Sequence, residues 1–179
     1  MNITVYIGAS KGRTPLYEEN AIRLGALIGR GGHTLVYGGS VNGLMGILAD
    51  SVLASGGKVL GVETQLFADR GLAKEGLTQM IVMPDMASRK TEMIKQGQCF
   101  IAFPGGTGTL DEITEIMSMI RLGLLDKPCM LLDIDGYYEP MRLMLDRMVE
   151  EEFLEGDVRD RIMFPKTPEE AIRLAEAKI

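Results

Sequence analysis

Short continuous runs of apolar and β-branched residues alternate along the chain with longer segments whose apolar positions recur at helical spacing. The continuous runs predict strands at 3–8, 34–37, 58–63, 78–83, 99–103 and 129–133. The helical spacing predicts helices near 15–30, 43–55, 86–97, 108–122, 137–151 and 168–178. Strands that are apolar without alternation are typical of a parallel sheet covered on both faces. The order of these elements predicts an α/β, Rossmann-like three-layer fold in which residues 1–179 form a single domain.

Three loops rich in small residues each follow a predicted strand and precede a predicted helix. They are 8–12 (GASKG), 38–43 (GGSVNG) and 104–109 (PGGTGT). In an open parallel sheet such loops meet at the carboxyl ends of the strands, where ligands bind. Glycine lets the backbone approach a ligand closely, and a helix N-terminus offers unpaired N–H groups to an anion. The three loops together predict a site for a nucleotide or a sugar phosphate.

Several common classes of site are disfavoured by the residues present. The chain has no G-x-x-x-x-G-K-[ST] loop, which disfavours a P-loop nucleotidase. Its first loop is not G-x-G-x-x-G, and no acidic residue closes the strand 34–37 to hold a ribose of NAD, which disfavours a dinucleotide dehydrogenase. Cys99 and Cys129 lie in apolar runs, which predicts buried, reduced thiols. The single histidine, His33, precedes an apolar run and is interpreted as a strand-entry residue. A Ser-His-Asp triad and a metal site are therefore not expected.

Charge and hydropathy indicate which binding partners and which cellular compartment to expect for the protein. The net charge is -6 and the isoelectric point about 4.9, with no basic stripe, so nucleic-acid binding is not expected. No segment approaches the roughly 18 apolar residues of a transmembrane helix. The N-terminal residues have no basic leader and enter directly a strand-like run. We expect a soluble, cytoplasmic protein that does not bind membranes.

The predicted helix 108–122 carries two carboxylates on one sector of its surface. At about 100° per residue, Glu112 and Glu115 project side by side, together with Met119 and Leu122, whereas Asp111 falls on a polar face. One interpretation is a solvated acidic first turn favoured by the helix dipole. The apolar neighbours favour the other interpretation, the wall of a site or of an interface.

The predicted helix 86–97 carries cations beside its apolar stripe. Arg89 and Lys90 flank the stripe marked by Met86 and Met93. Such a pair is often a solvated surface with aliphatic stems packed on the protein. Because the helix follows a predicted strand, these cations could instead reach the same edge of the sheet as the glycine loops, where arginine suits phosphate or carboxylate.

The segment 104–112 (PGGTGTLDE) resembles the P-G-G-x-G-T-x-x-E motif of the LOG (Lonely Guy) family. Members of that family are cytokinin-activating nucleoside 5′-monophosphate phosphoribohydrolases, formerly labelled lysine decarboxylases. The similarity extends to the GAS loop after the first strand, to 36–46 (VYGGSVNGLMG), to 86–90 (MASRK) and to 135–138 (DGYY). It therefore runs through most of the chain.

The resemblance implies catalytic roles for Arg89 and Glu112 and a homodimer with sites close to the subunit interface. It also implies a set of residues that hold the phosphate or line the nucleotide pocket: Ser10, Gly39, Gly43, Met45, Lys90, Pro104, Gly105, Gly106, Thr107, Gly108, Thr109 and Glu115. Two positions depart from the family pattern, because Ser40 replaces a glycine and Ala87 replaces a histidine. The segment 64–78 is also short, and these departures bear on which base is recognised.

The expected reaction is hydrolysis of the N-glycosidic bond of a nucleoside 5′-monophosphate, giving the free base and ribose 5-phosphate. The base could be an N6-substituted adenine, as in a cytokinin, or plain adenine. Neither a metal nor a redox cofactor is needed for this chemistry. One alternative is a nucleotide-binding sensor or carrier without catalysis, since the same loops would hold its ligand. Another is a lysine decarboxylase, but nothing in the sequence singles out a lysine for the Schiff base with pyridoxal phosphate.

Overall fold

The computed structural model describes residues 1–177, which form one seven-stranded, fully parallel sheet flanked by helices. The strands are β1 (Asn2–Tyr6), β2 (Thr34–Tyr37), β3 (Lys58–Thr64), β4 (Gln79–Met83), β5 (Cys99–Ala102), β6 (Cys129–Leu131) and β7 (Ile162–Met163). The helices are α1 (Pro15–Arg30), α2 (Gly43–Ala54), α3 (Gln65–Ala68), α4 (Met86–Gln96), α5 (Thr107–Arg121), α6 (Glu139–Glu150), α7 (Gly156–Asp160) and α8 (Pro168–Glu176). A 3₁₀ turn, Ile134–Gly136, precedes α6.

Each face of the sheet has its own hydrophobic core. Successive residues of a strand point to opposite faces. Thus Ile3 and Val5 of β1 pack with α1, α2 and α8, whereas Tyr6 packs with α4, α5 and α6 on the other side. This arrangement confirms the three-layer α/β fold that the continuous apolar strands predicted.

The strand order β4-β3-β2-β1-β5-β6-β7 reverses direction between β1 and β5. At such a switch point the connections leave toward opposite sides of the sheet and open a crevice at the carboxyl ends of the strands. The loop after β1 and the loop after β5 meet there. A Cβ placed on Gly8 would lie 3.3 Å from the Cα of Gly105, so the two loops touch through glycine backbone.

The predicted elements agree with the structure except in their ends and in three short additions. β1 ends at Tyr6 rather than at residue 8, and the helix predicted over 137–151 begins only at Glu139, after the 3₁₀ turn. The sequence did not predict α3, α7 or β7, whose four, five and two residues are too short for a periodic pattern. Residue 178 of the predicted closing helix lies outside the described residues.

The isolated titratable residues occupy structural positions. Cys99 and Cys129 are buried and form no disulfide, and burial raises the pKa of both thiols. His33 is buried where the chain enters β2, and its Nε2 lies 3.0 Å from a carboxylate oxygen of Glu176. Within residues 1–177, no group of three or more His, Cys, Asp or Glu side chains could hold a metal ion. No helix in that range has the length and apolar character needed to cross a membrane.

Candidate functional site

A cavity of about 620 Å³ opens at the carboxyl ends of the strands, over the switch point between β1 and β5. Parts of all three predicted glycine loops line it, together with α4 and the start of α5. Its apolar wall includes Met45, Phe67, Leu72 and Met86. Its charged side chains are those of Glu63, Arg89, Asp111 and Glu112. The loops that the sequence predicted to converge therefore do so around one cavity.

The N-terminus of α5 faces this cavity with free backbone donors. Residues 106–109 line the cavity. The N-cap residue is Gly106, which has no side chain to cap the N–H groups of the first turn. A Cβ placed on Gly106 or Gly108 would meet no atom within 4 Å, so the space beside them is open. The first N–H groups of a helix have no partner within the helix and, with the helix dipole, attract an anion. The turn is thus suited to a phosphate group.

Two tyrosines hold the loop before α5 from behind. The Tyr137 hydroxyl donates to the Gly105 carbonyl oxygen at 2.5 Å, and the Tyr138 hydroxyl donates to the Phe103 carbonyl oxygen at 2.9 Å. On the other side, Gly105 packs against Gly8 and Thr109. These contacts hold the loop in place beside the first turn of α5, whose residues line the cavity.

Arg89 of α4 is buried and joins three elements at the base of the cavity. Its Nε donates to the Val62 carbonyl oxygen of β3 at 2.9 Å, and its Nη1 donates to Glu112 Oε1 of α5 at 2.9 Å. Its Nη2 is so close to Gly38 that a Cβ there would lie 2.1 Å from it. The position after β2 therefore has to be glycine if Arg89 is to keep this conformation.

Glu112 is a buried carboxyl with a cation beside it. Its side chain is 13% exposed. Burial raises the pKa of Glu112, and the charge and hydrogen bond of Arg89 offset this rise only in part. The nearby Tyr6 hydroxyl also has a raised pKa, chiefly because it is buried and secondly because Glu112 is close. A carboxyl in this environment is suited to general acid–base work or to stabilising positive charge.

The residues implied by the resemblance divide into two groups. Those that line the cavity are Ser10, Met45, Arg89, Gly106, Thr107, Gly108, Thr109 and Glu112. Those that lie behind or beside its wall are Gly39, Gly43, Lys90, Pro104, Gly105 and Glu115. Gly39 packs against Glu63, and Gly43 packs against the backbone of Ala9. The second group supports the wall rather than forming it.

Lys90, which follows Arg89, points to the flank of α5. Its Nζ lies 3.1 Å from carboxylate oxygens of both Asp111 and Glu115, and these contacts raise its pKa. Asp111 is mostly exposed on the polar face, as the helical spacing predicts, but it also lines the mouth of the cavity. Lys90 and its two carboxylates thus tie α4 to α5 next to the Arg89–Glu112 pair.

Sequence reasoning missed several residues of the cavity. Glu63 is buried at the end of β3, 3.6 Å from Arg89 Nε, and looked like part of a strand. Phe67 and Leu72 belong to the short segment 64–78, which packs on the second glycine loop through a hydrogen bond from the Val41 N–H to the Leu72 carbonyl oxygen. The charged residue at a strand end was the one signal in the sequence that could have identified Glu63.

Curated relatives are similar to the chain over nearly its whole length. A cytokinin riboside 5′-monophosphate phosphoribohydrolase of Rhodococcoides fascians is 41% identical over 96% of this chain and 87% of its own. Another, of Arabidopsis thaliana, is 37% identical over 97% of this chain and 81% of its own. A probable one of Oryza sativa subsp. japonica is 38% identical over 97% of this chain and 71% of its own.

Solved structures with the same fold are more distant in sequence. The molybdenum cofactor binding protein of Rippkaea orientalis has a TM-score of 0.73 and 22% identity, with 98% of this chain and 95% of that one covered. A Moco carrier protein of Chlamydomonas reinhardtii has a TM-score of 0.72 and 19% identity, with 98% of this chain and 95% of that one covered. At such identities the likeness shows the fold alone.

Family membership follows from the sequence match. A family model described as "possible lysine decarboxylase" matches residues 45–175, which is more than half of the chain and includes Arg89 and Glu112. The relatives above 35% identity carry phosphoribohydrolase names. The chain therefore belongs to the family described as possible lysine decarboxylase, the LOG family to which its glycine-rich motif pointed.

Proposed function

We propose that the protein is an enzyme that hydrolyses the N-glycosidic bond of nucleoside 5′-monophosphates, releasing the free base and ribose 5-phosphate. The observation that carries this proposal is the buried Arg89–Glu112 pair, joined at 2.9 Å, in one cavity with the open N-terminus of α5. The phosphoribohydrolase names of relatives that are 37% to 41% identical support it independently.

The 5′-phosphate binds at the first turn of α5 in this proposal. Its oxygens accept hydrogen bonds from the backbone N–H groups of residues 106–109, where the helix dipole favours negative charge. Glu112 lies in the second turn of the same helix, so a phosphate held at the first turn places the ribose next to this carboxyl. The phosphate thereby positions the reacting carbon as well as adding affinity.

Glu112 and Arg89 act on the bond between ribose and base. As this bond breaks, positive charge builds up on C1′ and the ribose ring oxygen. The Glu112 carboxylate stabilises that charge and orients or deprotonates the attacking water. Arg89 holds the carboxylate in place and favours its ionised form, since Coulombic attraction and a hydrogen bond both lower the pKa of Glu112. The water oxygen forms the new bond to C1′, and the base leaves with the electron pair of the broken bond. The proton that water gives up to Glu112 balances the proton that the base takes up, so base and ribose 5-phosphate are the only products.

The apolar part of the cavity suits a purine base. Met45, Phe67, Leu72 and Met86 offer a surface of methionine, phenyl and leucine side chains, on which a planar ring can pack. Adenine and N6-substituted adenine both match this lining. Ser40, one of the departures from the family pattern, lines the same cavity.

Decarboxylation of lysine has no support at this site. Pyridoxal phosphate chemistry requires a lysine that forms a Schiff base with the cofactor. No lysine lines the cavity in residues 1–177. Lys90, the lysine next to Arg89 in sequence, does not line the cavity and forms ion pairs with Asp111 and Glu115.

A homodimer in the cytoplasm is part of the proposal. Leu122 and Leu124 at the end of α5 are each 67% exposed, which favours a second copy covering this end of the helix. Met119, expected on the same strip, packs instead against the core, so Leu122 is the exposed member of the predicted pair. Two free, buried thiols agree with a reducing compartment.

The test is base release from matched substrates, followed by chromatography. Adenosine 5′-monophosphate and its N6-substituted analogues should be cleaved, whereas the corresponding nucleosides should not, because they lack the group that binds the α5 turn. Equal turnover of a monophosphate and its nucleoside would contradict the phosphate site. A protein that binds monophosphates without releasing any base would be a carrier or a sensor instead.

A further inference from the structure

Glu63 is a second acidic residue at the base of the cavity. It is the penultimate residue of β3, at the carboxyl edge of the sheet, and only 2% of it is exposed to solvent. It lines the cavity, its Cβ would lie 3.0 Å from a Cβ placed on Gly39, and its Oε1 lies 3.6 Å from Arg89 Nε. The reaction proposed above does not use it.

The hydrogen bonds of Glu63 leave one of its oxygens free. Oε1 accepts from the Thr64 N–H at 2.8 Å and lies 3.6 Å from Arg89 Nε. That Nε donates to the Val62 carbonyl instead, and Nη1 donates to Glu112. Within residues 1–177, Oε2 of Glu63 has no hydrogen-bond partner. Because Glu63 lines the cavity, this carboxylate oxygen is available to accept a hydrogen bond from a bound ligand.

The electrostatic potential differs between the base of the cavity and the α5 turn. Glu63 and Glu112 share one guanidinium, that of Arg89, so acidic groups outnumber basic ones there. An anion is disfavoured at this end and favoured at the α5 turn, where free N–H groups and the positive end of the helix dipole meet the cavity. A nucleotide bound with its phosphate on α5 therefore presents uncharged donor groups to Glu63.

We propose that Glu63 accepts a hydrogen bond from a donor group of the bound nucleotide, either a ribose hydroxyl or the exocyclic amino group of the base. This inference rests on the proposed function for the class of ligand, and it makes Glu63 a specificity-determining residue. Ligands that carry the donor satisfy Oε2 of Glu63, whereas analogues without it leave that oxygen unpaired within the occupied cavity. Sites of this kind reject an analogue that lacks the hydrogen-bonding group.

The experiment measures dissociation constants by calorimetry in a Glu112→Gln background, in which the loss of the carboxylate slows hydrolysis by about 10²- to 10³-fold. Adenosine 5′-monophosphate is compared with its 2′-deoxy and 3′-deoxy analogues and with purine riboside 5′-monophosphate, which has no amino group. Each ligand is titrated into protein with Glu63 intact and into Glu63→Gln. Glu155→Gln is the matched control, because it removes a carboxylate paired with Arg121 at 3.0 Å on the surface, away from the cavity.

We expect Glu63→Gln to weaken binding of adenosine 5′-monophosphate by about tenfold or more, since a charge-assisted hydrogen bond becomes a neutral one. For the analogue that lacks the group contacted by Glu63, the dissociation constants of the proteins with Glu63 and with Glu63→Gln should agree within about twofold. A deoxy analogue with this behaviour identifies a ribose hydroxyl, and purine riboside monophosphate identifies the amino group. Glu63→Met, which removes both oxygens, should give the same pattern with a larger loss.

Two outcomes would overturn the inference. Equal weakening for every ligand would mean that Glu63 only supports the structure, and no weakening for any ligand would mean that it makes no contact. Turnover by the unmodified protein is measured separately. If the protein hydrolyses the nucleotide but Glu63→Gln does not weaken binding selectively, this inference alone is overturned. If Glu63→Gln weakens binding selectively but the protein does not hydrolyse the nucleotide, the proposed reaction alone is overturned.

Discussion

Replacing Glu112 by glutamine tests the proposed chemistry most directly. Glutamine has nearly the same shape and retains an oxygen that can accept the hydrogen bond from Arg89 Nη1. Glu63 remains 3.6 Å from Arg89 Nε, so the guanidinium keeps a carboxyl nearby. The variant should therefore fold normally and differ from the unmodified protein in one negative charge.

The size of the effect follows from the position of that charge. The Glu112 side chain is largely buried, so its interaction with a cationic ribose is only partly screened. Two unit charges about 4 Å apart attract by about 4 kcal/mol at the effective dielectric constant of about 20 that suits such sites. Because about 1.4 kcal/mol corresponds to a tenfold change in rate, full loss of this attraction slows the reaction by about 10³-fold. Residual stabilisation by the amide dipole reduces the loss, so we expect kcat to fall by about 10²- to 10³-fold.

The assay is steady-state release of base from adenosine 5′-monophosphate, with binding measured in parallel by calorimetry. Affinity should change much less than kcat, because the phosphate is held by the α5 turn. Glu155→Gln, which neutralises an exposed carboxylate remote from the cavity, should retain normal turnover. Asp111→Asn is not a suitable control, since Asp111 lines the cavity mouth and contacts Lys90. Normal kcat in Glu112→Gln would refute the catalytic role.

Three further predictions concern the geometry, the pH dependence and the assembly. Gly38→Ala places a Cβ 2.1 Å from Arg89 Nη2 and should lower kcat/KM by at least about tenfold, whereas Gly156→Ala, with open space around it, should have little effect on activity. Burial raises the pKa of Glu112, so the acid limb of kcat/KM should lie above 4.5, the ordinary value, with activity lost as the pH falls through it; a midpoint below 4.5 would contradict this. Light scattering should give about twice 19.6 kDa, and Leu122→Glu should lower that mass.

The fold class and the place of the site follow from the order of residues alone. Continuous apolar strands that alternate with amphipathic helices can bury both faces of a sheet only in a layered α/β arrangement. Glycine loops at the ends of strands then have to meet at one edge. The local pattern 104–112 also fixed which helix carries the acidic residue, because the motif places Glu112 one turn beyond the glycine turn.

The distribution of charges in this site depends on how the helices pack against the sheet. Spacing along α4 puts Arg89 and Lys90 side by side, but packing against β3 buries Arg89 at the base of the cavity and leaves Lys90 on the flank of α5. Glu63 joins Arg89 although 25 residues separate them in the chain. Such contacts depend on the order of strands in the sheet and on the depth of each side chain, which no local pattern contains. The ionisation of buried carboxyls follows from that depth, so their pKa values are properties of the fold and not of the sequence motif.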